Sequence, residues 1–402
     1  MMRRRVKITG IGPVTPAGVG REAFWKGIVQ PVSYVRPFSG LGKQLGPLVA
    51  AHMGDFDVRT YIDVARFPRG SSRQTSFAVA GAVLALADAG IGLEEVRQYR
   101  SAIITGSSVL DFGGVISSID SVSKLGAKGA KPRTIFTVNS SSVCGAINEV
   151  LGTSAQAMGV QSSCCSGLDA IGFAVQMVAS GEVQLAICGG VEAPLHRFPL
   201  LELRAAELTP PTDEMPERLD RPFDLWRTTG VVSEGAAMFI VEPDDSPRQG
   251  YSWITGYAFA SDPAGDLCGG MLESGRLAMA EARIRPSELD TINAWGPGHK
   301  LVDLGEARAM RKIFGQLLEG IPAVSIKGAL GTPLGAAPAI QVAVAALAQK
   351  FGQIPPTVNW DYPDPSCPLN LSNRSRLIPH RRTLVNAHGL GGANSSMILE
   401  KW

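Results

Sequence analysis

Two hydrophobic periods alternate along this chain, and that alternation limits the folds open to it more than any other feature. Short apolar, β-branched runs at residues 6–8, 102–104, 185–187 and 238–241 are separated by longer stretches in which apolar side chains recur at spacings of three and four. The first pattern predicts buried strands and the second predicts helices packed on them, so the expected class is α/β. One helix is predicted from about Gly167 to Ser180, with Leu168, Ile171, Val175 and Val178 on one face and Gly181 ending it. At 402 residues the chain is long enough for two packed halves, and 45% hydrophobic against 18% charged residues excludes a disordered polymer.

A faint internal duplication supports two halves. Gly159-Val160-Gln161 leads through a small-residue turn into the helix at 167–180. Later, a strand at 323–326 leads through a glycine-rich turn at 328–335 into an alanine-rich helix reaching about Ala348. The density of alanine and glycine predicts that both helices are buried between sheets. Pro210-Pro211-Thr212-Asp213-Glu214 and Asp244-Asp245-Ser246-Pro247 read as loops, and the second divides the chain into residues 1–245 and 246–402.

The net charge of +2, from 38 basic and 36 acidic residues, argues against a nucleic-acid partner. No run reaches 18 consecutive apolar residues, and the stretch near Ala336 to Ala348 is broken by Gln341, so no membrane span is expected. The basic start Arg3-Arg4-Arg5 precedes too short and polar a segment for a secretion signal. Six cysteines without C-x-x-C spacing fit a reducing cytoplasm, and no cluster of histidine, cysteine and carboxylate predicts a metal.

The chemistry concentrates at Gln161-Ser162-Ser163-Cys164-Cys165-Ser166-Gly167, between a predicted strand and the buried helix. A thiol there faces unpaired backbone N–H groups and the positive end of the helix dipole, which favour a thiolate and stabilise the oxyanion of a thioester under attack. Free cysteines are also among the most buried and inert side chains, so spacing alone leaves both readings open.

Several motifs occur in order: Val6-Lys7-Ile8-Thr9-Gly10-Ile11-Gly12, Ser163-Cys164-Cys165-Ser166-Gly167, Gly189-Gly190-Val191-Glu192, Arg221-Pro222-Phe223-Asp224, Pro355-Pro356-Thr357-Val358-Asn359 and Gly389-Leu390-Gly391-Gly392-Ala393-Asn394. Together they resemble the elongating β-ketoacyl-acyl-carrier-protein synthases of fatty-acid and polyketide assembly, almost end to end. The resemblance implies a thiolase-like fold, five layers αβαβα in two pseudo-duplicated halves. It also implies a homodimer, or a heterodimer with another ketosynthase. No cofactor is expected on the chain itself, because the substrate arrives on the phosphopantetheine of an acyl carrier protein. The family's Cys-x-x-Gly pattern makes Cys164 the acyl-accepting nucleophile and leaves Cys165 a packing role.

The same resemblance exposes departures. The family's first catalytic histidine belongs in Asn-Ala-His-Gly-Thr-x-Thr, which here reads Asn293-Ala294-Trp295-Gly296-Pro297-Gly298-His299. Its second belongs in Lys-x-x-x-Gly-His, here Lys327-Gly328-Ala329-Leu330-Gly331-Thr332. An indole donates a hydrogen bond but cannot shuttle a proton, and the threonine arm is short. Pro297 and His299 replace the two threonines that hold pantetheine in the family, with His299 expected to face that channel. Lys327, Asp303 and Glu306 are retained. The acidic pair is expected to support the loop, and Lys327 to act in the site or simply to pair with Glu306. Near the carboxy terminus His388 and Leu390 stand at the family's gate phenylalanines, with Asn394 in support. Leu390 is a softer gate, and His388 is either a replacement imidazole or a histidine satisfied by local backbone.

Three functions follow from the resemblance. One is an acyltransferase that loads Cys164 with decarboxylative condensation altered or lost. Another is a non-condensing subunit like a chain-length factor, which Gly335-Ala336-Ala337-Pro338 also resembles. The last is a condensing enzyme re-equipped with His388 or His299.

Overall fold

In the computed structural model, which describes residues 4–39, 48–63, 66–109, 111–210 and 215–402, ten strands form one hydrogen-bonded path. The first half supplies β1 (Val6–Thr15), β2 (Ser101–Gly106), β3 (Gln156–Val160), β4 (Leu185–Glu192) and β5 (Gly235–Pro243). The second supplies β6 (Ser252–Ser261), β7 (Thr291–Asn293), β8 (Ala323–Val324), β9 (Arg382–Gly389) and β10 (Ala393–Lys401). Their spatial order is β8-β7-β9-β10-β6-β1-β5-β4-β2-β3, with the two-residue strand Gly18–Val19 added beside β1.

Each half repeats the other. β2 lies parallel between β3 and β4, just as β7 lies parallel between β8 and β9. β5 runs antiparallel between β4 and β1, as β10 does between β9 and β6. The halves meet where Val6, Lys7 and Ile8 pair with Ile254, Trp253 and Ser252. The predicted strands at 102–104 and 238–241 lie inside β2 and β5, and those at 6–8 and 185–187 are the opening residues of β1 and β4.

Five helices matter for the site: α1 (Arg73–Ala89), α2 (Ser166–Ser180), α3 (Gly269–Ala282), α4 (Lys300–Phe314) and α5 (Ala337–Phe351). Strand alternation feeds two cores. Leu185, Ile187, Met238 and Ile240 pack with Phe77, Val79 and Leu86 of α1, whereas Ala186, Cys188, Phe239 and Val241 join α2 and α5 on the opposite face. α2 and α5 are therefore the central layer of a thiolase-like αβαβα fold, with α3 and α4 covering the second half's strands. The windows 163–180 and 334–351 are long and apolar enough to cross a membrane by composition, but 67% and 89% of their residues are buried inside the protein.

α2 ends as its sequence predicts, with Gly181 in the left-handed region at φ 79°. At its start, a Cβ on Gly167 would stand 2.5 Å from the Gly335 carbonyl, so glycine permits the duplicated turns to touch. The glycine-rich segment predicted as an irregular turn at 328–335 instead contains a helical turn, Lys327–Leu330, and a 3₁₀ turn, Leu334–Ala336. The segment is fully buried, and helical turns pair backbone groups that water cannot reach. Of the loop predicted at 210–214, residues 211–214 lie outside the described residues.

Candidate active site

The turn before α2 places Cys164. Ser163 adopts φ 57°, an uncommon left-handed conformation for a residue with a side chain. Ser166 holds the turn, accepting from Ser162 N at 2.9 Å and donating to Ser163 O at 2.5 Å. Cys165 is fully buried with its Sγ 3.5 Å from Ala393 O, the packing role expected of it.

Cys164 is 7% exposed and lines an apolar cleft of about 90 Å³. Trp295, Pro297, His299, Thr332, His388 and Leu390 line the same cleft, so the candidates drawn from distant parts of the chain converge. The thiolate expected from a helix start is not the resting form. Burial pushes the Cys164 thiol up to about 11, with the Glu192 carboxylate adding to the rise. The Ser163 hydroxyl, the Leu390 N–H and the Lys327 ammonium pull the other way without overcoming it. Desolvation of the charged form thus outweighs the donors at the turn.

Behind the cleft, the retained polar residues bind backbone rather than one another. Glu306, on α4, accepts from Trp295 N at 2.9 Å, Gly296 N at 2.8 Å and Asn386 Nδ2 at 3.1 Å. Asp303 accepts from Phe223 N at 2.7 Å and lies 3.5 Å from Arg227 Nε; burial pushes its carboxyl up to about 7. Of the two alternatives for Lys327, direct pairing with Glu306 is not what the fold forms: Lys327 Nζ donates to Trp295 O and to Gln341 Oε1, both at 2.9 Å, and sits 4.2 Å from the Trp295 ring centre. The Glu306 carboxylate is already occupied, and its charge reaches Lys327 only through space. Burial lowers Lys327 to about 7, opposed by Glu306, Asp220 and Asp303.

His388 is held by a side chain, not by local backbone. Asn394 Nδ2 donates to Asp262 Oδ1 at 2.7 Å and to Gly392 O at 2.9 Å, so its Oδ1 faces His388 Nδ1 at 2.9 Å. That contact requires Nδ1–H as donor, leaving Nε2 as the lone-pair nitrogen of the neutral ring. His299 only partly follows the channel reading. Its ring lines the cleft, but its Nδ1 accepts from Val302 N at 3.4 Å and caps α4. Burial lowers its pKa, with the Arg227 guanidinium lowering it further.

Two participants escaped the sequence reading. Gln341, taken there only as an interruption of an apolar run, is fully buried and donates to Asn293 O, Ala294 O and Asn386 O while receiving Lys327. A lone amide in an alanine helix was the available signal, since such a group needs partners. Thr229 also lines the cleft, and nothing in its local pattern marks it.

Duplicated five-layer architecture with a cysteine at the start of a central helix defines the thiolase-like ketosynthase class. Models of the β-ketoacyl synthase N-terminal and C-terminal domains match residues 3–246 and 254–361. The chain belongs to the β-ketoacyl synthase family. It is 32% identical to a putative polyketide beta-ketoacyl synthase 1 of Streptomyces virginiae, over 99% of this chain and 98% of that protein. It is 30% identical to the tetracenomycin polyketide synthase ketoacyl synthase alpha subunit of Streptomyces glaucescens, over 99% and 97%. Among solved structures, the ishigamide ketosynthase/chain length factor superposes with a TM-score of 0.93 at 27% identity, covering all of both chains.

Proposed function

We propose that this chain is an acyl-accepting ketosynthase homologue of polyketide or fatty-acid assembly, working in the cytoplasm, in which ordinary decarboxylative condensation is altered or lost. An acyl carrier protein presents the acyl group on phosphopantetheine. Cys164 Sγ attacks the thioester carbonyl, the bond to the pantetheine sulfur breaks, and the proton of the cysteine thiol ends on that departing sulfur. His388 Nε2 is the base that relays the proton, and the Leu390 N–H is aimed where negative charge develops. Asp303, Glu306 and Asn394 hold these parts in position.

The observation that carries this reading is the contrast on the cleft wall: the nucleophile and its donor are present, whereas the imidazole positions hold Trp295 and Thr332. The indole cannot pass a proton, the Thr332 hydroxyl sits on a shorter arm than an imidazole, and Lys327 directs two of its three N–H bonds to Trp295 O and Gln341 Oε1. Incubation with acyl-carrier protein or acyl thioesters should add one acyl mass to the intact protein, abolished in Cys164→Ala.

A second reading, a non-condensing partner resembling a chain-length factor, is favoured by the protonated, deeply set thiol. Its outcome is no adduct at all together with co-purification with an active ketosynthase. The solved relative described as a ketosynthase/chain length factor makes heterodimer formation a natural test of partner choice.

A further inference from the structure

Two hydroxyls on one wall of the cleft lack partners. Thr229 and Thr332 are 8% and 9% exposed, and each Oγ1 is closed off from solvent without a hydrogen bond among the described residues. Their segments are stitched together, with Thr332 N donating to Val231 O at 2.6 Å and Ser233 N donating to Thr332 O at 3.2 Å. Both residues line the space that Cys164 lines. Buried polar groups are almost always paired, so two orphans on one wall need an outside partner.

The surroundings define that partner's chemistry. Leu203, Leu208, Val231 and Leu334 make the neighbouring wall apolar, and the Lys327 ammonium is committed elsewhere. A carboxylate would be desolvated here without a cation, whereas a neutral carbonyl or hydroxyl oxygen would satisfy the threonines at little cost.

We propose that Thr229 and Thr332 form a two-hydroxyl recognition site for a neutral oxygen of the thioester ligand, and that Thr229 is a specificity-determining residue. The oxygen belongs either to an amide carbonyl of the carrier arm or to a substituent on the acyl chain. The choice of a thioester as ligand rests on the acyl-accepting reading above.

The test compares acylation of Cys164, followed by intact mass, in wild type, Thr229→Val and Thr332→Val. Three probes are used: butanoyl-N-acetylcysteamine, butanoyl ethanethiol ester and 3-oxobutanoyl ethanethiol ester. Loss of one hydroxyl should slow the probe bearing the recognised oxygen by roughly five- to tenfold, with recovery in Thr229→Ser. Slowing confined to the first probe identifies the arm amide, and slowing confined to the third identifies the acyl oxygen. Equal slowing of all three probes, or of none, overturns the site while leaving acyl transfer intact. If wild type accepts no thioester, the acyl-transfer reading fails separately, and calorimetric titration with pantetheine and 3-oxobutanoyl-N-acetylcysteamine decides the site. Binding weakened by Thr229→Val supports it, and binding that is absent or unchanged overturns it.

Discussion

Raising the pH should switch Cys164 on steadily, well beyond the range in which an ordinary cysteine has already ionised. Its thiol stands at about 11 because burial removes water from the sulfur and Glu192 opposes a second negative charge. At pH 7, four units lower, about one molecule in ten thousand carries the thiolate, rising to about one in a hundred at pH 9. Pseudo-first-order alkylation by iodoacetamide, read as intact mass at pH 6.5 to 9.5, should therefore climb about tenfold per unit across the whole range. An exposed cysteine near 8.5 would begin to level off by pH 9. Cys164→Ala supplies the background, and the other five cysteines are buried and free, so slow labelling is expected from them. A rate that plateaus below pH 8 would refute the reasoning, because the helix start and the Leu390 N–H would then have beaten desolvation.

Glu192 offers a coupled test. Burial pushes its carboxyl up to about 7 although Ser108 N, Ser108 Oγ, Val109 N and Gly335 N all donate to it. A raised carboxyl contributes stability that is full below its ordinary value and disappears as pH rises through about 7. Glu192→Gln should remove that slope in thermal unfolding, cost about 1–3 kcal/mol because its carbonyl can take the place of Oε2 while its NH₂ is turned toward the Val109 N–H donor, and speed Cys164 alkylation at fixed pH. Trp295→His combined with Thr332→His should recover measurable decarboxylation of malonyl-carrier protein; a folded but inert double variant would make the altered Pro297 and His299 channel the larger obstacle. Gly167→Ala should lower the unfolding midpoint by an amount equivalent to about 1–3 kcal/mol, because its Cβ would stand 2.5 Å from a backbone carbonyl that cannot swing aside. An unchanged midpoint would mean that the two central turns pack less tightly than described.

What the sequence makes legible follows from period and from local chemistry. β4 and β5 are visible because Leu185, Ile187, Met238 and Ile240 belong to one core while their alternating neighbours belong to another, so each strand reads as a continuous apolar run. Cys164, Trp295, Thr332 and His388 are legible because motif order fixes their places. The partners of buried polar atoms are not legible, since they depend on contacts between residues far apart in sequence. Lys327 and Glu306 carry opposite charges and are retained together, yet each is satisfied by backbone and amide groups that only the folded chain brings near. Desolvation at Cys164 is hidden for the same reason: the turn displays its donors, but the apolar walls come from Leu208, Val231 and Leu334.

That preference for backbone partners means that the frame around the cleft does not rely on the side chains that line it. Glu306 binds the N–H groups of Trp295 and Gly296, Lys327 binds the Trp295 carbonyl, and Asn293 and Ala294 give their carbonyls to Gln341. None of these bonds uses the side chain at position 295, so the frame's buried hydrogen bonds would accept either an imidazole or an indole there. The Trp295 ring offers its face to the Lys327 ammonium. At position 332 the backbone is likewise engaged with Val231 and Ser233, while the side-chain hydroxyl alone is left unmatched. The frame therefore does not depend on which side chains stand at positions 295 and 332 for its buried backbone hydrogen bonds.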